Sequence, residues 1–165
     1  MPILDVNTLE FFSRSPEQTR RMGMRLGAFL RTGDVICLQG ELGAGKTTLV
    51  QGIAQGWGSL DPVSSPTFVL VNTYRRPDSQ VLFHLDTYRL SSDAEVDELD
   101  IEEMINQGSL LIEWPERIRR LLPDQYLWVT LNYQGDQVRS LLFTPYGKRF
   151  KSMVSELRRS IYGVV

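Results

Sequence analysis

The sequence predicts an α/β domain, in which helices cover a central, largely parallel sheet and an antiparallel hairpin lies near the C-terminal edge. Two observations lead to this fold class. Short apolar runs bounded by turn residues alternate with longer segments whose apolar residues recur at helical spacing. A glycine-rich loop also joins one such strand to one such helix, an arrangement that parallel α/β sheets use repeatedly.

The first half of the chain predicts a helix, a buried strand and a second helix. Ser15, followed by proline, is a typical helix start, and apolar residues then recur at helical spacing up to a turn at residues 33–34. The apolar run 35–38 lies between turn signals and predicts a buried strand that leads into the glycine-rich loop. The helix behind this loop is expected to end at Gly56 and Gly58.

The second half predicts five strands and three helices. The strands are expected at residues 68–74, 81–85, 110–112, 126–133 and 138–143, the last two forming a hairpin around residues 135–136. The helices are an acidic one over residues 92–106, a short one that a proline stops after residue 122, and one with basic residues from residue 148.

Composition limits the classes of function. The chain has 165 residues and a net charge of -2, which suits one compact domain and argues against stand-alone, high-affinity binding of RNA or DNA. A single cysteine and a single histidine exclude an internal disulfide and a Cys/His zinc cage. Neither a signal peptide nor an apolar run near the ~20 residues of a membrane span is present, so we expect a cytoplasmic protein without a membrane segment.

A complete phosphate-binding motif, Gly-x4-Gly-Lys-Thr, occupies residues 40–47. Its glycines let backbone N–H groups face phosphate oxygens, and the helix that follows adds the positive end of its dipole. Lys46 is expected to reach the β- and γ-phosphates, and Thr47 to bind Mg²⁺. The guanine-specifying Asn-Lys-x-Asp pattern is absent, so nothing favours GTP over ATP. The prediction is therefore a P-loop NTPase-like sandwich, with residues 1–147 as the ATPase domain and residues 148–165 as a basic helix packed on it.

A P-loop also needs a second acid that directs Mg²⁺ from the end of a neighbouring strand, and two residues compete for this role. Asp86 and Glu113 each follow an apolar run, at the strand end where ligands of α/β sheets bind. Spacing alone does not show which of the two directs Mg²⁺. Either residue, taken singly, is explained equally well as the cap of a loop or as a surface ion-pair partner of Arg89. The pattern favours a structural role for His84 over that of a general base, and a core position for Trp114.

Four motifs, taken in order, resemble one family. They are residues 40–48, Ser65-Pro66-Thr67-Phe68, His84-Leu85-Asp86-Thr87-Tyr88-Arg89-Leu90 and Ile112-Glu113-Trp114. This order is similar to TsaE, the tRNA threonylcarbamoyladenosine biosynthesis family, over roughly residues 15–145. The resemblance implies an ATPase that uses ATP and Mg²⁺ and works with the TsaD and TsaB proteins on the adenosine beside the anticodon. It implies that hydrolysis is weak without these partners, that the ATPase does not transfer the group itself, and that tRNA is contacted through the complex.

The resemblance also implies roles for single residues. Lys46 would hold phosphate, while Thr47 and Glu113 would hold Mg²⁺. Thr67 and Asp86 would face the γ-phosphate, which makes Asp86 the candidate for positioning or activating water. Trp114 would lie beside the nucleotide rather than in the core. The implied nucleotide-binding residues are Glu41, Leu42, Gly43, Ala44, Gly45, Lys46, Thr47, Thr48, Trp114 and Arg139. Residues 15–19 and Arg139 are candidates for contacts with the base.

Two other functions remain open on the sequence alone. A small-molecule kinase needs an arginine-bearing lid, for which the candidates are Arg117, Arg119 and Arg120. A nucleotide sensor would bind ATP without hydrolysing it. The acidic stretch 95–103 is better explained as a solvated face than as a docking patch, and the basic stretch 148–159 as a packed helix with outward charges than as a tRNA contact. The sequence does not indicate an oligomeric state.

Overall fold

The computed structural model describes residues 5–41, 43–64, 71–88, 90 and 92–163. Within these ranges the strands are β1 (Leu9–Ser13), β2 (Val35–Gln39), β3 (Val71–Arg75), β4 (Val81–Asp86), β5 (Gly108–Glu113), β6 (Tyr126–Gly135) and β7 (Val138–Tyr146). The α-helices are α1 (Pro16–Gly27), α2 (Lys46–Trp57), α3 (Asp93–Asp97), α4 (Ile101–Gln107) and α5 (Lys148–Tyr162), and a 3₁₀ helix covers Pro115–Leu121.

The strands form one sheet in the order β1-β7-β6-β2-β5-β4-β3. Four neighbouring strands, β6, β2, β5 and β4, run parallel, whereas β7 and β1 on one side and β3 on the other are antiparallel. The predicted α/β class, with a parallel centre and an antiparallel β6–β7 hairpin, is confirmed. Strand β1 is an addition to the prediction: its five residues pair with β7, so the edge of the sheet lies one strand beyond the hairpin.

Two helices differ from the sequence prediction. The acidic segment 92–106 forms two helices, because the Asp100 carboxylate accepts the N–H of Glu103 at 3.1 Å and so starts α4 anew. Helix α1 begins as predicted, with the Ser15 hydroxyl accepting the N–H of Gln18, but it ends at Gly27 rather than near residue 33. Of the strand predicted over residues 68–74, the part from Val71 lies within the described residues.

Strand β2 divides the interior into two cores, because its side chains point alternately to the two faces of the sheet. Ile36 and Leu38 face the core that α1, α2 and α5 cover. Val35 and Cys37 face the core under α3, α4 and the 3₁₀ helix. With a parallel strand on each side, β2 is central, and the loop after Gln39 therefore leaves the sheet at the middle of its carboxyl edge.

Helices α1 and α2 touch backbone to backbone at glycines. A Cβ atom placed on Gly27 would lie 2.1 Å from the carbonyl oxygen of Ile53, and one on Gly56 would lie 2.0 Å from that of Met24. No side chain larger than hydrogen fits these separations, so the close approach depends on glycine. The start of α1 is thereby held beside the glycine-rich loop that precedes α2.

The C-terminal helix α5 packs its apolar side on the sheet and on α1. Phe150, Met153, Val154 and Leu157 are buried, while Lys148 and Lys151 are exposed. Arg149 pairs with the buried Asp34 at 2.8 Å, which fixes the start of the helix. Among the residues that the structure describes, no helix has the length and apolarity needed to cross a membrane.

Candidate nucleotide-binding site

A cavity of about 360 Å³ opens at the carboxyl edge of the parallel strands. Its walls include these residues predicted from the sequence: Gly43, Gly45, Lys46, Thr47, Thr48, Asp86, Glu113, Trp114 and Arg139. Ser15, Pro16 and Thr19, from the predicted stretch 15–19 at the start of α1, form a further part of the wall. Leu42 and Thr67 lie outside the described residues.

The glycine-rich loop has the backbone of a phosphate cradle. Gly43 and Gly45 have φ values of 82° and 103°, in the left-handed region that favours glycine. Among the described residues, no side chain caps the first turn of α2, so its N–H groups remain available to an anion. Ala44, a residue of this loop, is buried, and its N–H donates to the Glu41 carbonyl. These two residues therefore shape the cradle through backbone contacts.

Lys46 is held inside the cavity by uncharged groups. Its Nζ donates to the carbonyl of Gly40 and, at 3.4 Å, to that of Glu41, and it lies 4.0 Å from the centre of a Trp114 ring. Burial lowers the pKa of Lys46, while Glu113 and Asp86 oppose this shift. Among the described residues no carboxylate contacts this Nζ, and a desolvated ammonium group in that position gains most from an anionic partner.

The two competing carboxylates meet at this cavity. Asp86 and Glu113 are direct register partners on the parallel strands β4 and β5. Oδ1 of Asp86 accepts the N–H of Tyr88 at 2.9 Å, and burial raises the pKa of Asp86. Oε2 of Glu113 lies 2.6 Å from Nε2 of His84. Glu113 therefore contacts a buried imidazole, whereas Asp86 accepts a backbone N–H at the carboxyl end of β4.

His84 is buried and bonded on both sides. Its Nδ1 lies 2.9 Å from the Tyr74 hydroxyl, and its Nε2 contacts Glu113. A buried position agrees with the structural role predicted for it. The contact with Glu113 could not be read from the sequence, because the two residues are 29 positions apart and meet only when β4 and β5 pair.

Trp114 has a backbone conformation that is uncommon for a large residue. Its φ of 59° and ψ of 48° are left-handed, and Pro115 follows it. The Thr87 hydroxyl lies 3.0 Å from the Glu113 carbonyl oxygen and 2.5 Å from that of Trp114, and the Tyr88 ring packs on Trp114 at 4.8 Å. These contacts turn the half-buried indole toward Lys46 and the cavity instead of the core.

Arg139 brings a second cation to the cavity from β7. Its Nη2 lies 3.4 Å from the Gly43 carbonyl oxygen, and its guanidinium packs over the Tyr133 ring at 4.2 Å. The buried Nη1 has no hydrogen-bond partner within the described part of the chain. A buried N–H without a partner is costly, so this atom indicates a ligand group at the wall of the cavity. Gln137 and Tyr88 also line the cavity, and Thr87 contacts the backbone of Trp114. No sequence pattern indicated Gln137, whereas Thr87 and Tyr88 stand in the motif of residues 84–90 without a predicted role.

Comparison with known proteins agrees with this geometry. Residues 13–141 match the family model described as threonylcarbamoyl adenosine biosynthesis protein TsaE. The tRNA threonylcarbamoyladenosine biosynthesis protein TsaE of Bacillus subtilis is 37% identical over 153 residues, which cover 92% of this chain and 94% of that protein. The TsaE protein of Nostoc sp. is 39% identical over 152 residues, with coverage of 88% and 91%.

A solved structure is similar as well. The crystal structure of Bacillus subtilis YdiB matches with a TM-score of 0.78 at 33% identity, over 93% of this chain and 96% of that one. Residues 13–141, which the family model matches, include the glycine-rich loop, both strand-end acids and Arg139. The four motifs, the fold and these matches agree, and the chain belongs to the TsaE family of threonylcarbamoyl adenosine biosynthesis proteins.

Proposed function

We propose that this chain is the ATP-binding and ATP-hydrolysing component of the machinery that forms threonylcarbamoyladenosine in tRNA. It acts in the cytoplasm with the TsaD and TsaB proteins and does not itself transfer the threonylcarbamoyl group. Family membership supports the pathway. The ATPase part of the proposal depends on one observation: the phosphate cradle, Lys46 and two strand-end carboxylates, Asp86 and Glu113, meet in a single cavity.

The residues around the cavity fit the triphosphate of ATP. The N–H groups of the loop and of the first turn of α2 would bind phosphate oxygens. Lys46 would exchange its carbonyl partners for the β- and γ-phosphates. The buried ammonium group would thereby gain an anionic partner. Nη1 of Arg139, which has no hydrogen-bond partner among the described residues, would also donate to the ligand.

The two acids fit different tasks. Glu113 is held by His84, and a carboxylate of fixed orientation suits the Mg²⁺ side of the site together with Thr47. Bound Mg²⁺ would neutralise charge on the phosphate oxygens. Asp86 has no such tether among the described contacts and has a raised pKa, which suits a group that orients water and accepts its proton. Thr67, which lies outside the described residues, remains the proposed γ-phosphate contact.

The kinase alternative gains no support from the three arginines of the 3₁₀ helix. Arg117 donates to the Leu90 carbonyl at 2.7 Å. Arg119 packs over the Trp128 ring at 4.2 Å, and Arg120 pairs with Asp97 at 2.9 Å. All three are engaged by the protein itself, which does not favour a mobile lid.

Steady-state phosphate release tests the proposal. We expect slow turnover by the purified chain and a large increase with TsaD and TsaB, since a group supplied by a partner is worth about 10³–10⁵ in rate in related enzymes. The Lys46→Ala protein is the control for contaminating activity. Turnover on the order of tens per second without partners, as for an ordinary kinase, would favour the kinase function. No turnover even with both partners would favour the nucleotide sensor.

A further inference from the structure

A buried chain of three side chains leads from the nucleotide cavity to the far edge of the sheet. The Tyr74 hydroxyl lies 2.9 Å from Nδ1 of His84, and Nε2 of His84 lies 2.6 Å from Oε2 of Glu113. Tyr74 and His84 are 3% and 1% exposed. Glu113 lines the cavity, whereas Tyr74 and His84 are not part of its wall; the function proposed above uses His84 only as a contact of Glu113 and does not use Tyr74.

The chain crosses three adjacent strands. Tyr74 is on the edge strand β3, His84 is on β4 and Glu113 is the last residue of β5. Because β4 pairs with both neighbours, the imidazole sits between a hydroxyl from one side and a carboxylate from the other. Each strand supplies a rigid backbone, so the three side chains have little freedom to rearrange.

The hydrogen bonds constrain where the protons lie. An ionised Glu113 only accepts, so Nε2 of His84 has to carry a hydrogen. A neutral imidazole then has a lone pair at Nδ1, which accepts the proton of the Tyr74 hydroxyl. Burial raises the pKa of Tyr74, so its hydroxyl keeps the proton that it can donate to Nδ1. The alternative acceptor for that hydroxyl, the Ser64 carbonyl oxygen, is farther away at 3.3 Å.

We propose that Tyr74 and His84 are positioning residues for the Mg²⁺-side acid. The Tyr74 hydroxyl donates to Nδ1 and fixes the orientation of the His84 ring, and the Nε2–H of His84 holds one oxygen of Glu113 so that the other faces the metal side of the cavity. This inference rests on the proposed role of Glu113. Loss of such an outer partner typically lowers metal affinity about 10–100-fold, although the partner never touches the metal.

Calorimetric titration of ADP with and without Mg²⁺ tests the inference through binding alone. Tyr74→Phe and His84→Leu are expected to reduce the Mg²⁺-dependent gain in affinity about 10–100-fold, and to leave the metal-free affinity near wild type. His84→Gln is expected to retain most of the gain, because its amide can donate from nearly the Nε2 position. Tyr126→Phe is the matched control, since Tyr126 is a partly buried tyrosine packed on Tyr146.

The outcomes separate the inference from the proposed function. If Glu113→Ala leaves the Mg²⁺ dependence unchanged, the role of Glu113 is wrong and the inference falls with it. If Glu113→Ala reduces the dependence but Tyr74→Phe and His84→Leu do not, the role of Glu113 stands and the inference alone is overturned. Equal losses in His84→Gln and His84→Leu would contradict the donor role assigned to Nε2.

A spectrum of the nucleotide-free protein gives a second test that does not depend on the leucine variant folding. His84 is the only histidine in the chain, so ¹⁵N-imidazole resonances report on this ring alone. We expect a single tautomer with hydrogen on Nε2 in the wild type, and the same tautomer with a shifted Nδ1 resonance in Tyr74→Phe, because Nδ1 loses its hydrogen-bond donor. A wild-type spectrum with hydrogen on Nδ1, or an unchanged spectrum in Tyr74→Phe, would overturn the inference.

Discussion

Replacing Gly56 with alanine tests whether the contact between α1 and α2 depends on glycine. The new Cβ would lie 2.0 Å from the Met24 carbonyl oxygen and 2.7 Å from the Met24 carbonyl carbon and Cα. All three atoms are backbone, so no side chain can rotate out of the way. The two helices would have to separate by on the order of 1 Å, because a relaxed contact between carbon and oxygen needs more than about 3 Å.

Two opposing terms set the magnitude. Alanine is favoured over glycine inside a helix by about 1 kcal/mol. Forcing an extra carbon into a well-packed interface costs about 1–3 kcal/mol, and rigid neighbours place this site at or above the top of that range. We therefore expect a net loss of about 2 kcal/mol in the free energy of unfolding. For a chain of this size, that corresponds to a fall in Tm of about 4–8 °C.

Thermal and urea unfolding, followed by circular dichroism, measure this loss. Gln55→Ala is the matched control, because residue 55 is exposed on the same helix and its substitution changes helix propensity without crowding α1. We expect the control to unfold within about 0.5 kcal/mol of the wild type. A Gly56→Ala protein as stable as the wild type, or more stable, would show that the helices separate freely and that the close approach is not required.

Four further predictions concern the cavity. Lys46→Ala should weaken ATP binding by about 1.5–3 kcal/mol in calorimetry, because a charge-assisted contact is lost; unchanged affinity would refute the phosphate site. Glu113→Ala should reduce the Mg²⁺ dependence of binding, whereas Asp86→Ala should retain binding and lose turnover; the opposite pair of phenotypes would reverse the two roles. Thr87→Val should lower the free energy of unfolding by about 1–3 kcal/mol, since it strips the hydroxyl from the Trp114 carbonyl, and Thr87→Ser, which keeps the hydroxyl, should lose less. Asp86→Asn should be more stable than the wild type at pH 7 and equal to it in acid. Because the pKa of Asp86 is raised, the native state binds the carboxyl proton more tightly than the unfolded chain does. Wild-type stability therefore falls as the pH rises above the ordinary aspartate pKa. Equal stability at pH 7 would contradict the raised pKa.

The parts of the fold that depend on local pattern could be predicted from the sequence. The glycine-rich loop follows a short apolar strand and precedes a helix, and both features are visible within residues 35–57. Ser15 indicates the start of α1, because its hydroxyl caps the helix by accepting the N–H of Gln18, three residues away. Asp86 and Glu113 were expected at strand ends and lie there, because an apolar run followed by a polar residue marks the carboxyl edge of a buried strand.

The parts that depend on distant partners could not be predicted. The first strand, Leu-Glu-Phe-Phe-Ser, lacks a clear alternation, and only pairing with β7 makes it a strand. Asp100 restarts a helix through its side chain, a choice that competes closely with continuing the acidic helix. The bond between His84 and Glu113, and the hold of Thr87 on the backbone of Trp114, join positions that are 26 to 29 residues apart.

The pairing of β1 with β7 has a consequence for synthesis on the ribosome. Leu9 lies opposite Phe143, so the first strand of the chain leaves the ribosome about 130 residues before its partner. At about 5–20 residues per second, it waits roughly 7–27 s before β7 is made. Leu9, which is 5% exposed in the finished fold, has no β7 to pair with during this interval, whereas α1 and α2, which contact each other directly, both lie within the first 57 residues. The pairing partner of β1 is therefore among the last elements to be synthesised, and this edge of the sheet closes only when β7 arrives.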